Sequence, residues 1–195
     1  FQNENISSVF DHIRSGREWG LSTLLSHYYL GIYNTPVESS TVDKEYYSQI
    51  LTYLKRSGSD QTVALNSDVL VNIDLNQVLH LHNSTRQKIT VVYKKLPKEQ
   101  ISDVNSVLEI DESDKVLSHE LFQGGDKEAY NMSTDIFVVD TPYLIEKLEE
   151  EAAKEEPRKL RYVLRDLAVA ENGFAYEYTG YLSNIHSVKA YFDAN

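Results

Sequence analysis

Three polar residues stand where this sequence could do chemistry: Asp68, Ser133 and Asn184, each near the end of a run with strand character. In α/β sheets, ligands bind beyond the carboxyl ends of the strands, so these positions are weighed first. Asp68, in NSDVLVNID, has small polar neighbours. It reads either as a turn or capping aspartate, the commoner use, or as a ligand for Mg²⁺, which favours one or two carboxylates plus substrate phosphates. Asn184 lies at the turn in GYLSNIHSVKAYFDAN. An aspartate there could grip a metal ion; an asparagine offers a neutral oxygen, or caps the helix that follows. The six histidines are scattered, and the two-residue spacing of His80 and His82 does not place both on one helix face, which argues against a zinc pair. His12, in FDHIRSGREW, reads as a packed or capping residue rather than a base. No local nucleophile elbow is present, although a Ser-His-Asp set could still assemble in three dimensions. Gly124-Gly125 precedes Asp126 rather than a helix start with a basic residue, so it reads as a flexible turn and not as a phosphate loop.

The elements that must position these residues follow from periodicity. Asp43 to Arg56 places Tyr46, Tyr47, Ile50, Leu51 and Leu54 on one helical face, with Asp43 as N-cap and Gly58 as terminator. QTVALNSDVLVNID (61–74) reads as buried strand broken near Asn66–Asp68. A short helix over 76–83 leads to the strand KITVVYKK (88–95), and 104–122 reads as two strands joined at Glu112–Asp114. DIFVVDT (135–141) is a further strand, and Thr141-Pro142 opens a helix from about Tyr143 through Glu156. A last helix near 159–170 precedes the strand FAYEYTGYL (174–182). This alternation predicts an α/β fold in a single domain over 1–195, with a mainly parallel sheet and helices on both faces.

Composition sets outer bounds. The 195 residues carry 30 acids against 19 bases, a net charge of −11, which disfavours nucleic acid as a partner. No run is long enough to suggest a membrane span, and zero cysteines suit a cytoplasmic location. The charge run KLEEEAAKEEPRK (147–159) reads as a solvated helix end.

Taken together, SVFDHIRSGREW (8–19), LNSDVLVNIDLNQVLHLH (65–82), KITVVYKK (88–95), NMSTDIFVVD (131–140) and EYTGYLSNIHSVKAYFDAN (177–195) resemble the bacterial glucose-1-phosphate adenylyltransferase (ADP-glucose pyrophosphorylase) family, most of all its regulatory-type subunit of glycogen synthesis. The resemblance implies a Rossmann-like nucleotidyltransferase domain followed by a left-handed β-helix, and a reaction joining ATP and glucose 1-phosphate to give ADP-glucose and pyrophosphate with Mg²⁺. It places the chain after the family's glycine-rich loop and before its β-helix. Asp68 matches the first metal aspartate, with Ser67-Asp68-Val69 for Gly-Asp-His. Ser133 matches the sugar-contacting serine of Ser-Met-Gly, and Asp135 replaces the glycine. Asp43 matches an acid near the nucleotide, with Ser40 where a glycine belongs. The Glu-Lys-Pro motif that holds the sugar phosphate falls around Glu120-Leu121-Phe122-Gln123, without its lysine or proline. The second metal carboxylate has become Asn184.

The set of catalytic groups implied by the resemblance is therefore incomplete, with degenerate positions at Phe122, Asp135 and Asn184. Substrate contacts would come from Ser133, Asp43 and Glu120, and a weakly held Mg²⁺, not required, from Asp68 and Asn184. The expected role is a regulatory subunit with weak or no catalysis of its own. It would pair with a catalytic homologue in a hetero-oligomer and bind ATP, ADP-glucose or glucose 1-phosphate. One alternative is an active sugar-nucleotide transferase drawing ligands from Asp193 or Glu120. Another is a non-enzymatic α/β interaction module, since fold alone does not fix function.

Overall fold

The computed structural model describes residues 6–14, 16–17, 20–21, 28–31 and 39–194. Phe1, together with Ser15, Glu18 and Trp19 of the first segment above, lies outside the described residues. The element order is α1 (Ile6–Ile13), α2 (Lys44–Ser57), β1 (Gln61–Ala64), β2 (Val69–Val71), α3 (Leu75–Thr85), β3 (Ile89–Pro97), β4 (Ser106–Ile110), β5 (Val116–Leu121), β6 (Ala129–Asp140), α4 (Thr141–Ala152), α5 (Leu160–Ala170), β7 (Phe174–Glu177), β8 (Leu182–Asn184) and α6 (Val188–Asp193). No helix among the described residues is long and apolar enough to cross a membrane. The chain divides into two compact units, Phe1–Asp60 with Thr141–Tyr162, and Gln61–Asp140 with Val163–Asn195; the division falls within α5.

In the first unit α2 starts and stops where its sequence dictates. The Asp43 carboxylate accepts the Tyr46 backbone N–H at 2.9 Å, and Gly58 takes the left-handed conformation (φ 61°) that ends the helix. Tyr47 and Leu54 are its buried residues, and α2 lies alongside α4. The charge run over 147–159, which begins inside α4, is not simply a solvated helix end. Glu151 is only 3% exposed and accepts the Arg158 backbone N–H at 2.8 Å as well as the Lys154 ammonium. Burial alone would raise its pKa, but those donors outweigh burial and hold the carboxyl below its usual range. That anchor folds 153–158 back, and α4 stops at Ala152 rather than Glu156.

The second unit is α/β, with a mixed sheet flanked by helices. The strand order is β5-β4-β6-β3-β7, and β1 also pairs with β6. Only β3 and β7 run parallel; the other pairs are antiparallel, so the mainly parallel expectation fails. The cause is local. The turn at Glu112–Asp114 closes a β4–β5 hairpin, and the strand expected over 135–141 begins six residues earlier, at Ala129, long enough to pair antiparallel with three others. β3 follows one edge of β6 from Pro97 to Ile89, while β4 and β1 share the other edge, β4 at Asn131 and Met132 and β1 from Phe137 to Asp140. The break after Ala64 then matters: β1 ends and β2 leaves to form a separate two-stranded ladder with β8.

Two apolar clusters hold this unit together. Val78 of α3 packs with Val92, Ile136, Val138 and Tyr178, and Phe122 packs with Leu96, Ile101 and Met132. Leu182 of β8 touches both clusters, which fixes the β2–β8 ladder against them. Asp74 caps α3 through the Asn76 N–H at 3.0 Å.

Candidate functional site

The outer edge of β6 has a gap between the end of β1 and the start of β4, and the chain is irregular there. Tyr93 pairs with Ser133 but Val92 pairs with Ile136, so Thr134 and Asp135 are extra residues in a bulge. Asp135 has φ 51°, in the left-handed region that favours glycine. Side-chain hydroxyls satisfy the displaced backbone: Thr134 Oγ1 donates to the Val92 carbonyl at 2.8 Å and accepts the Ile136 N–H at 3.3 Å, and Ser133 Oγ accepts the Asp135 N–H at 3.2 Å.

Asp135 is 8% exposed and grips Arg165 of α5 in a two-pronged ion pair, Nε to Oδ1 at 3.0 Å and Nη2 to Oδ2 at 2.6 Å. Ser133 Oγ lies 3.5 Å from Oδ1, and the Asn66 amide donates to Oδ2 at 3.4 Å. Breaking such a buried pair from one side costs about 3–5 kcal/mol, because the partner charge is left uncompensated. The expectation that Ser133 contacts a sugar meets a hydroxyl that is 5% exposed and already engaged with Asp135.

His119 of β5 completes the cluster. Its side chain is fully buried, its Nε2 is 3.0 Å from Ser106 Oγ and 4.0 Å from Asp135 Oδ1, and its ring stacks on Phe137. Burial pushes its pKa down to about 3, with Arg165 lowering it and Asp135 opposing. The structure thus assembles Ser106, His119 and Asp135, but not as a relay. Both oxygens face the same imidazole nitrogen, whereas a triad needs the carboxylate on the other one. Ser106 is 1% exposed, so no substrate reaches it.

Asp68 and Asn184 come together at the β2–β8 ladder. Val69 pairs with Asn184, and the Ile185 N–H donates to the Asp68 carbonyl at 2.8 Å. Paired residues share a face and successive residues alternate, so Asn184 shares the face of Val69, which packs toward the Phe122 cluster. The two predicted ligands are one register step apart rather than opposite one another. The Asn184 amide is committed elsewhere: its Nδ2 donates to Asn105 Oδ1 at 2.7 Å and to the Gln100 carbonyl at 3.3 Å, and its Oδ1 accepts from Asn105 Nδ2 at 3.2 Å. Asn184 does not cap α6; Ser187 does, accepting the Ala190 N–H at 3.1 Å. Asp68 brings one carboxylate to this ladder and Asn184 a neutral amide oxygen that already accepts from Asn105, so an ion here would rest on Asp68 and on substrate phosphates. No group of three or more His, Asp or Glu side chains suited to a metal gathers among the described residues.

The remaining predicted positions have other roles. Asp43 belongs to the first unit, where it caps α2. Glu120 is exposed on β5, an edge strand. Phe122 is 7% exposed in its apolar cluster, with its ring edge-on to Tyr130 at 5.0 Å; it is a core residue. His82 is buried, with its ring nitrogens 2.8 Å from Thr90 Oγ1 and 3.2 Å from Asp140, while His80 makes no pair with it. His12 is exposed in the last turn of α1. Gly125 has φ 144° and packs against the Tyr130 hydroxyl so closely that a side chain would collide with it.

Sequence reasoning missed Asn66, Asn105, Ser106, His119 and Arg165. Arg165 alone left a signal, as a charged residue between Leu164 and Ala168 in an apolar helical stripe. No protein-family model matches this sequence, and no curated protein matches it.

Proposed function

We propose that the chain is the nucleotidyltransferase-like part of a regulatory subunit of glucose-1-phosphate adenylyltransferase type, acting in ADP-glucose and glycogen synthesis with weak or no catalysis of its own. The observation that carries this reading is the state of Asn184. The resemblance puts a metal carboxylate there, and the side chain is a neutral amide closed on Asn105 and Gln100. Adenylyl transfer crowds negative charge at the α-phosphorus, so cations supply most of the stabilisation. Losing one carboxylate beside a divalent ion, at an effective dielectric of about 20, forfeits several kcal/mol. Each ~1.4 kcal/mol is tenfold in rate.

A second support is the backbone at 135. The resemblance puts glycine there, and the residue has the positive φ that glycine takes readily. On this reading the frame of a sugar-nucleotide site persists while its polar groups bind one another. A regulatory subunit of this kind acts by favouring one conformation of a catalytic homologue, which requires different affinity for its two states. Assays of ADP-glucose formation by the full-length protein, by a catalytic homologue and by their mixture test this. The expected result is no turnover above background alone and an altered rate in the mixture. Turnover at ordinary enzyme rates by the protein alone contradicts the reading.

A further inference from the structure

We propose that the Asp135 carboxylate is an internal occupant of an oxyanion cradle, which the native chain keeps closed against external carboxylates and phosphates. The donors come from three separate segments. Arg165 of α5 presents Nε and Nη2 side by side, the fork geometry that recognises carboxylate or phosphate. Asn66, just after β1, donates its amide to the second oxygen, and Ser133 of β6 lies beside the first. All of these point at one site in the gap between β1 and β4, and the site is buried: Arg165 is 6% exposed, Ser133 5%.

The backbone argues that the occupant is imposed on the site. A side chain at φ 51° inside a strand is strained relative to glycine, and Asp is among the few residues that tolerate it. The strain persists because the ion pair overdetermines it. Replacing Asp135 by glycine removes the strain and the occupant together and leaves the cradle. Glycine plus acetate reproduces the atoms of aspartate with two hydrogens added, one on each side of the cut Cα–Cβ bond, so acetate is the natural probe.

The closure rests on the regulatory reading only for the identity of the ligand it excludes, and its test involves no nucleotide or turnover. Thermal unfolding of native protein, Asp135→Gly and Asp135→Gly/Arg165→Met is followed in acetate, inorganic phosphate and chloride at matched ionic strength. The expected result is that acetate raises the midpoint of Asp135→Gly in a saturable way. Native protein and the double variant respond to acetate only as they do to chloride. Phosphate is expected to act as acetate does, since the same fork fits a tetrahedral oxyanion, and a phosphate effect on Asp135→Gly no larger than that of chloride overturns that half of the proposal. Should Asp135→Gly not fold unaided, recovery of its fold on refolding in acetate is the readout. Chloride matching acetate, an equal acetate effect in native protein, or no recovery while the double variant folds overturns the proposal. Binding of acetate to Asp135→Gly is expected to be at least about tenfold tighter than to native protein.

Discussion

His119 enters the core in its neutral form. Its pKa is pushed down to about 3 from an ordinary 6.5, with burial the leading cause. Between those values the unfolded chain binds a proton that the folded chain refuses, so stability is full above pH 6.5 and declines as pH falls toward 3. The limiting slope is about 1.4 kcal/mol per pH unit. Urea unfolding of native protein and His119→Phe from pH 7 to pH 5 is expected to show the extra acid slope in the native chain alone. Parallel slopes contradict the assignment. The same buried setting explains why Ser106 and His119 form no nucleophile pair: the imidazole lies against Phe137 and near Asp135, and its hydroxyl partner is out of reach of substrate.

Among the elements, the bulge in β6 organises the candidate site. Thr134 bridges two strands through one hydroxyl, donating to the Val92 carbonyl and accepting the Ile136 N–H. Thr134→Val preserves shape and strands both backbone groups, at a cost of about 1–3 kcal/mol. Chemical denaturation should show that loss, and a change within 0.5 kcal/mol would mean the bulge stands without the bridge. The bulge was illegible in the sequence. NMSTDIFVVD has the β-branched and apolar residues of a strand, and no spacing marks where two residues drop out of register. By contrast, α2 was readable to its caps, because Asp43 and Gly58 act on their nearest backbone neighbours. The break at Asn66–Asp68 was readable for the same reason. Its consequence, that β2 leaves for β8, depends on partners over a hundred residues away.

At the scale of the whole molecule, sequence identified an α/β architecture but took the sheet as mainly parallel, because direction depends on where β6 begins and not on its apolar run. Asp68 and Asn184 were recognised as a pair across more than a hundred residues, and the ladder sets them one register step apart. The face each side chain takes, and the asparagine that meets Asn184, could not be read from strand ends alone. Phe122 shows the converse: the position where the resemblance implies a sugar-phosphate lysine is, in the folded chain, an apolar side chain filling a core. The central claim is that residues 68 and 184 no longer share a divalent ion. Titration of Mn²⁺ into the full-length protein with ATP, read by electron paramagnetic resonance, tests it most directly. The account predicts no saturable protein-bound ion beyond that held by ATP itself, whether the chain is native or Asp68→Asn. A stoichiometric bound ion, lost in both Asp68→Asn and Asn184→Ala, would contradict it.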